Sequence, residues 1–325
     1  MCSRTDTELR ARTEIAAERI DKALAALLPL SRTRIQRAIE TGRVTVDGVT
    51  VQRASEPVAA GREIVVELEP KAEPTLEPAD IPLRVLWEDG ACLVIDKPAG
   101  LVVHPGAGHP DRTLVNALLH HRPAVAGVGD ERKAGLVHRL DKDTSGCLLV
   151  AKTDAAHGSL SGQFAARTVE KAYWAFAWGH LGSREGVFDA PIGRSTRDRQ
   201  RMSSHTRRGR RALTRWRVVE RYAVAEWLEI ELETGRTHQI RVHLAEGGHP
   251  VMGDARYGGG PSRARGFHGP PQGWAREAAA AATRQALHAR TLAFDHPTTG
   301  ERVRVAAPLP ADLEALRAVL RRHPA

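Results

Sequence analysis

The chain has 325 residues, 42% of them hydrophobic, and a formal net charge of +9. That is enough for two domains with real cores, and the charge makes a polyanion the first expected partner. No apolar run approaches the roughly 18 residues of a membrane span. The three cysteines, Cys2, Cys92 and Cys147, show no CxxC spacing, so the expectation is a reduced, cytoplasmic protein with buried thiols.

Residues 1–15 read as a polar extension without a signal-peptide core. A small α/β domain is expected over residues 16–70. Ile20, Leu24, Leu27 and Leu28 have helical spacing, Ser31 should cap a second helix from Arg32 to Glu40, and Gly42 should end it. The alternating run Arg43 to Val51 turns at Asp47-Gly48, a tight-hairpin signal, and Ile64 to Leu68 should be a last strand. Arg32, Arg34 and Arg37 lie on a helix surface that could meet phosphates, although a solvated basic helix would look the same.

The residues Arg19-Ile20-Asp21-Lys22, Ser31-Arg32, Ile39, Gly42-Arg43-Val44 and Val46-Asp47-Gly48 carry a resemblance. This segment resembles a small RNA-binding module found in a small-subunit ribosomal protein, in tyrosyl-tRNA synthetases and in several RNA-modifying enzymes. The resemblance implies RNA binding and no chemistry, and Arg32, Arg34, Arg37 and Arg43 are the expected contacts.

The stretch Glu69 to Asp80 alternates acids with three prolines and cannot build a core, so residues 71–80 are expected to be an extended linker. Residues 81–325 read as one α+β domain. Val85 to Glu88 and Ala91 to Asp96 flank Asp89-Gly90 as a hairpin, and Thr113 to His121 reads as a helix. Cys147 to Ala151 and Val169 to Trp178 read as strands. Leu228, Ile230 and Leu232 alternate with glutamates as a half-buried strand. Arg290 to Phe294 and Glu301 to Val305 flank a Pro-Thr-Thr-Gly turn, and Asp312 to Leu320 is a final helix. Pro261 to Ala282 looks like an irregular insertion, with Ala278 to Ala282 helical. Such a mixed, mainly antiparallel central sheet with interspersed helices suggests a central cleft.

The run His138-Arg139-Leu140-Asp141-Lys142-Asp143-Thr144-Ser145-Gly146 precedes an apolar strand. It places Asp141 between two cations, Arg139 and Lys142, which should keep it ionised. Such a carboxylate is able to attack an electrophilic sugar carbon. Gly235 to Leu244 should open a helix at a strand end. There His238 and Arg241, three apart, share a face, and Arg241 is able to pair with a carboxylate. Tyr173 and Trp174 should point to opposite faces of a strand, one of them able to stack on an extruded base. Arg194 to Arg217 holds ten arginines and one acid, Asp198, and reads as an exposed cationic RNA contact.

Other chemistries lack their partners. His138, His238, His243 and His249 form no two-histidine helix pair, and no HxE with CxxC supports a zinc deaminase. The HRLD string has no Gly-rich loop or Asp-Phe-Gly beside it, and there is no GxSxG elbow. No metal is therefore expected. A catalytically silent RNA-binding or ribosome-assembly factor is the reading from a different class.

Asp96 to Pro105, Gly135 to Gly146, Lys171-Ala172-Tyr173, Gly235 to Leu244, His249 to Asp254 and Arg284 to Ala289 follow in an order that resembles the RNA pseudouridine synthases of the RluA/RluD type. The resemblance implies that family's fold and assigns catalytic roles to Asp141, to Tyr173 as the base-stacking tyrosine placed to assist proton removal, and to Arg241 as the partner of the aspartate. Arg139 matches an arginine that helps fill the space left by the flipped nucleotide, and Arg236 and His238 are weaker substrate-binding matches. Uridine isomerisation needs no cofactor, since nothing is oxidised, hydrolysed or phosphorylated. The resemblance further implies a large-subunit (23S) ribosomal RNA target, with tRNA the alternative, and a monomer.

Overall fold

The computed structural model describes residues 3–5, 8–12, 18–28, 32–67, 76–106, 108–129, 134–196, 198, 201–206 and 208–325. The chain divides into two compact units, Met1–Thr75 and Leu76–Ala325. Among the described residues no helix is long and apolar enough to cross a membrane.

In the first unit, strands β1 (Ser3–Thr5), β2 (Glu8–Arg12), β4 (Val44–Val46), β5 (Val49–Thr50) and β7 (Glu63–Glu67) form one sheet in the order β1-β2-β7-β4-β5. A two-stranded pair, β3 (Glu18–Arg19) with β6 (Pro57–Val58), lies outside it. Helices α1 (Ile20–Leu27) and α2 (Arg32–Glu40) share a core of Ile20, Leu24, Ile35, Ile39, Val44, Ile64 and Val66. Asp47 and Gly48 both adopt positive φ, 47° and 81°, the left-handed pair that a two-residue hairpin turn requires. The Asp47 carboxylate accepts from Glu63 N–H at 3.0 Å and pairs with Arg62 at 2.6 Å, which ties the turn to β7. Two expectations change. Leu27 is 39% exposed, because the inward face of α1 is set by Ile20, Ala23 and Leu24. The polar extension is not structureless, since β2 pairs with β7 along five residues. The expected cap Ser31 lies outside the described residues, as do the side chains of Arg32, Arg34 and Arg37.

In the second unit nine strands make one sheet. They are β8 (Arg84–Glu88), β9 (Cys92–Lys97), β10 (Ser145–Ala151), β11 (Glu170–Trp178), β12 (Glu185–Asp189), β15 (Leu213–Arg221), β16 (Ala225–Leu232), β17 (Leu287–Asp295) and β18 (Arg302–Ala306). The order is β12-β15-β16-β11-β17-β10-β9-β8, with β18 on β17. Every pairing is antiparallel except β10 with β17. The mixed, mainly antiparallel α+β fold expected from the sequence is therefore present. Helices α3 (Leu114–His121), α4 (Asp154–Ala166), α5 (Gln239–Glu246), α6 (Pro270–Ala281) and α7 (Ala311–Arg321) accompany the sheet.

Period-two side chains make two cores. On β9 and β10, Leu93, Ile95, Leu148 and Val150 enter the larger one, while Cys92, Val94, Cys147 and Leu149 join Ala156 and Leu160 of α4 in the other. The seven residues of β10 are all buried, which is why this strand reads as a continuous apolar run. Burial also pushes the Cys92 and Cys147 thiols up to about 12, so both stay protonated.

Residues 71–75 of the expected linker lie outside the described residues, and its end is held: Asn116 donates to Glu77 O at 2.8 Å, and Ala79 N–H donates back to Asn116 O. Two further expectations are corrected. Pro261–Gly266 is a 3-10 helix and α6 follows, so this region is regular, and Ala275, Ala278 and Ala279 are buried on the inner face of α6. The arginine-rich stretch is not one loop. Gly193–Arg194 (β13) pairs with Met202–Ser203 (β14), and Leu213 onward is β15, with Leu213, Trp216 and Val218 buried.

Candidate active site

Asp141 sits in the turn just before β10, and Thr144 N–H closes that turn on Asp141 O at 3.1 Å. The turn is clamped from below. Lys97, fully buried at the end of β9, donates its ammonium to the carbonyls of Pro98, Leu101 and Lys142 at 2.7, 2.9 and 2.9 Å. Burial pulls that ammonium down to about 7. Arg284 donates to Asp143 O at 2.9 Å and to the Ser145 hydroxyl at 3.1 Å, and Gln285 donates to the Thr144 hydroxyl at 2.7 Å. Gly146 (φ 109°) brings β10 against β17, where a Cβ would lie 2.2 Å from Ala289 O. Only glycine fits there.

The sequence placed Asp141 between Arg139 and Lys142, but neither is its ion-pair partner among the described residues. Both are exposed, and Lys142 Nζ stands 3.5 Å from His109. Arg241 on α5 supplies the charge instead, with Nη1 2.9 Å from Asp141 Oδ2. Its other edge is bidentate to Asp254, whose carboxylate is 2% exposed: Nε to Oδ2 at 2.6 Å and Nη2 to Oδ1 at 2.9 Å. The two carboxylates hold Arg241 charged and fix its plane. In a turn the neighbours of a residue diverge, so sequence adjacency does not make a pair.

His238 precedes α5 in a left-handed conformation (φ 58°), an arrangement that costs a non-glycine residue about 1–2 kcal/mol. Its Nε2 lies 3.9 Å from Asp141 Oδ1, and its Nδ1 is 2.8 Å from the Tyr257 hydroxyl. Burial holds its pKa below the usual value, against the pull of Asp141. Buried Gln239 fixes the loop ahead of α5 by accepting from Arg236 N–H and the Thr234 hydroxyl and donating to Leu213 O.

Tyr173, 9% exposed, lies on β11 between Ile230 of β16 and Ala289 of β17. It lines one cleft with Arg139, Asp141, Arg236, His238 and Arg241. Burial first, and the Asp141 charge second, push its phenol above the usual range, so it rests protonated. Trp174 faces away from it, with Arg290 4.6 Å over its ring and Trp227 5.1 Å from it, as strand alternation requires. Arg139 also lines the adjoining part of the cleft, while Arg236 is anchored through Nε to Arg211 O at 3.2 Å. The six expected catalytic and substrate-binding residues are thus brought together. Arg43, half-buried, belongs to the other unit.

His138 does not face this chemistry. Its Nε2 accepts from Leu149 N–H at 2.8 Å, its ring stacks on Phe164 at 4.6 Å, and burial drops its pKa to about 3. Sequence reasoning gave no role to Lys97, Asp254, Tyr257 or Arg284. Their partners lie far along the chain, and no spacing rule connects a lysine to three carbonyls or one arginine to two acids.

Fold and cleft together define an α+β enzyme that presents one carboxylate between an arginine and a tyrosine. A family model described as RNA pseudouridylate synthase matches residues 91–246, and an S4 domain model matches residues 18–64. The chain is 45% identical over 311 residues to a ribosomal large subunit pseudouridine synthase D of Pseudomonas aeruginosa, covering 95% of this chain and 93% of that protein. It is 43% identical over 319 residues to an uncharacterised RNA pseudouridine synthase of Bacillus subtilis, covering 97% and 98%. The solved structure of human RNA pseudouridylate synthase domain containing 1 matches with a TM-score of 0.53 and 29% identity, over 76% of this chain and 97% of that one. The chain belongs to the RNA pseudouridine synthase family and is an isomerase that acts on RNA, with an S4 domain at its N-terminal side.

Proposed function

We propose that this enzyme converts uridines of large-subunit ribosomal RNA to pseudouridine, with Asp141 as the catalytic carboxylate, Arg241 as its positioning cation and Tyr173 as the stacking ring. The observation that carries the roles is the Asp141–Arg241 pair at 2.9 Å in a cleft that also holds Tyr173. The target uridine leaves its stack at a cost of about a few kcal/mol and enters that cleft. The bond from N1 to the sugar C1′ breaks, with Asp141 either attacking C1′ or taking a sugar proton to give a glycal; both routes use the same carboxylate. The freed uracil turns against the Tyr173 ring. C5 then bonds to C1′ as the Asp141 oxygen departs, or as Asp141 returns the proton to the sugar carbon of the glycal; N1 gains a proton and C5 loses one. Atoms and charge balance without a cofactor. Because Tyr173 rests as a protonated phenol, the reading gives it stacking first.

Arg139 fills the space of the extruded nucleotide, and Arg236 and His238 contact the substrate strand. Residues 16–70, through Arg32, Arg34, Arg37 and Arg43, bind RNA, which the S4 match supports. The large-subunit target is read from curated relatives of that name. We place the enzyme in the cytoplasm as a monomer. The test is tritium release from RNA labelled at uracil C5. Asp141→Asn should abolish release and leave RNA affinity intact; normal release by this variant would sink the assignment. Carbodiimide mapping of pseudouridines in strains with and without the gene decides the target, and an unchanged large-subunit map would reject it.

A further inference from the structure

Tyr257 touches the arginine-bearing helix, the histidine beside Asp141 and the arginine-rich hairpin together. It sits in a short 3-10 helix, Ala255–Tyr257, and is 6% exposed. Asp254, the residue that grips Arg241 bidentately, also accepts Tyr257 N–H at 3.3 Å. Two guanidinium groups lie over the ring, Arg241 at 5.0 Å and Arg201 at 5.1 Å from its centroid. His238 meets its edge at 5.6 Å and 75°. These contacts exceed what a packing tyrosine needs.

The hydroxyl decides more. Tyr257 Oη accepts from Met202 N–H, in β14 of the arginine-rich hairpin, at 2.9 Å. A backbone amide only donates, so the phenolic proton must go elsewhere. Among the described residues its other hydrogen-bond partner is His238 Nδ1 at 2.8 Å. Nδ1 then accepts, and in a neutral imidazole Nε2 carries the proton. Nε2 is the nitrogen that faces Asp141 Oδ1, at 3.9 Å, while Arg241 occupies Oδ2.

We propose that Tyr257 is a positioning residue that locks His238 as the Nε2–H tautomer, so that the imidazole presents a neutral donor to the carboxylate oxygen that Arg241 leaves open. The two oxygens of Asp141 are thereby made unequal: Oδ2 is held in a salt bridge, and Oδ1 faces a weaker, movable donor. The same hydroxyl fastens the hairpin to the site, so a displacement of Met202 reaches His238 through two hydrogen bonds that share one hydroxyl. Burial, which disfavours the imidazolium, acts in the same direction. The tautomer rests on hydrogen-bond accounting alone; its kinetic consequence rests on Asp141 being the catalytic carboxylate.

Two-bond proton–nitrogen spectra of ¹⁵N-histidine-labelled full-length protein test it, with His238→Asn used to assign the resonance. The expected spectrum has a protonated Nε2 and a bare Nδ1 at His238. Tyr257→Phe keeps the ring that the two arginines lie over and removes only the hydroxyl. It should give a mixture of tautomers and lower the single-turnover rate of tritium release by roughly tenfold, about 1.4 kcal/mol of barrier, with RNA affinity within about twofold. A wild-type protein with Nδ1 protonated overturns the proposal. So does a Tyr257→Phe variant with the tautomer and rate of the parent. The expected tautomer in a wild-type protein that releases no tritium supports the lock and rejects the functional reading instead.

Discussion

Arg241 binds Asp141 with one nitrogen and Asp254 with two, so a single guanidinium bridges an accessible carboxylate and a buried one. The bridge makes the position of Asp141 depend on a residue 100 positions away in sequence. A lysine offers one point charge in place of a planar fork and cannot serve both acids.

Arg241→Lys should therefore keep the charge and lose the geometry. The expected result is a fall in single-turnover rate of at least about 100-fold with RNA affinity little changed. Arg241→Met should in addition destabilise the fold by about 3–5 kcal/mol, because Asp254 is left buried and unpaired. Rate, affinity and chemical denaturation measured together separate these effects. A loss confined to affinity would assign Arg241 to phosphate binding.

Lys97→Met keeps the buried volume and removes the donor to three carbonyls. Lys142 O keeps the Gly100 N–H at 3.0 Å, but the carbonyls of Pro98 and Leu101 lose this donor, and an acceptor left unpaired costs about 1–3 kcal/mol, for a net loss of about 3 kcal/mol. The melting temperature should drop by about 6–12 °C in a domain of this size. Since one of those carbonyls belongs to Lys142, beside Asp141, turnover at a temperature where the variant is folded should fall as well. Undiminished stability would show that the carbonyls find other donors.

Gly146→Ala places a Cβ 2.2 Å from Ala289 O, on a backbone at φ 109°. Both faults act where β10 and β17 make their parallel pair. The variant should lose more than about 3 kcal/mol. Gly90→Ala, where nothing lies within 4 Å and φ is not positive, is the control and should change stability by less than about 0.5 kcal/mol. Equal melting of both variants would contradict this account.

His138 gives a pH effect of definite sign. In the unfolded chain its imidazole takes a proton below about 6.5, whereas burial holds the folded group neutral down to about 3. Between those values the unfolded state binds more protons, so stability rises with pH and is lost as pH falls. His138→Gln removes this contribution. The drop in melting temperature from pH 7 to pH 4.5 should be smaller in the variant than in the parent, and an equal or larger drop would refute the assignment.

The linear signals that the sequence carries are short-range ones. Alternation identified β16, the Asp47-Gly48 dipeptide identified a hairpin, and the uninterrupted apolar run identified β10, because each depends only on near neighbours in the chain. The same locality picked out Asp141, Tyr173 and Arg241, each standing at a turn, a strand or a strand-to-helix junction with its own pattern. Failures came where residues adjacent in sequence diverge in space. Arg139 and Lys142 flank Asp141 in the chain and do not pair with it, and the arginine-rich stretch folds in part into β13, β14 and β15.

The sequence by itself determined the elements, which follow from side-chain periodicity and residue type, and its motifs carried the resemblance to the family. Only the tertiary structure decided who neutralises Asp141, which tautomer faces it and what clamps its loop. Those answers depend on Arg241, Asp254, Tyr257 and Lys97 meeting across a sheet whose parallel β10–β17 pair joins segments more than 140 residues apart. A buried charge is satisfied by whatever the fold brings within about 3 Å, and chain proximity has no say in that.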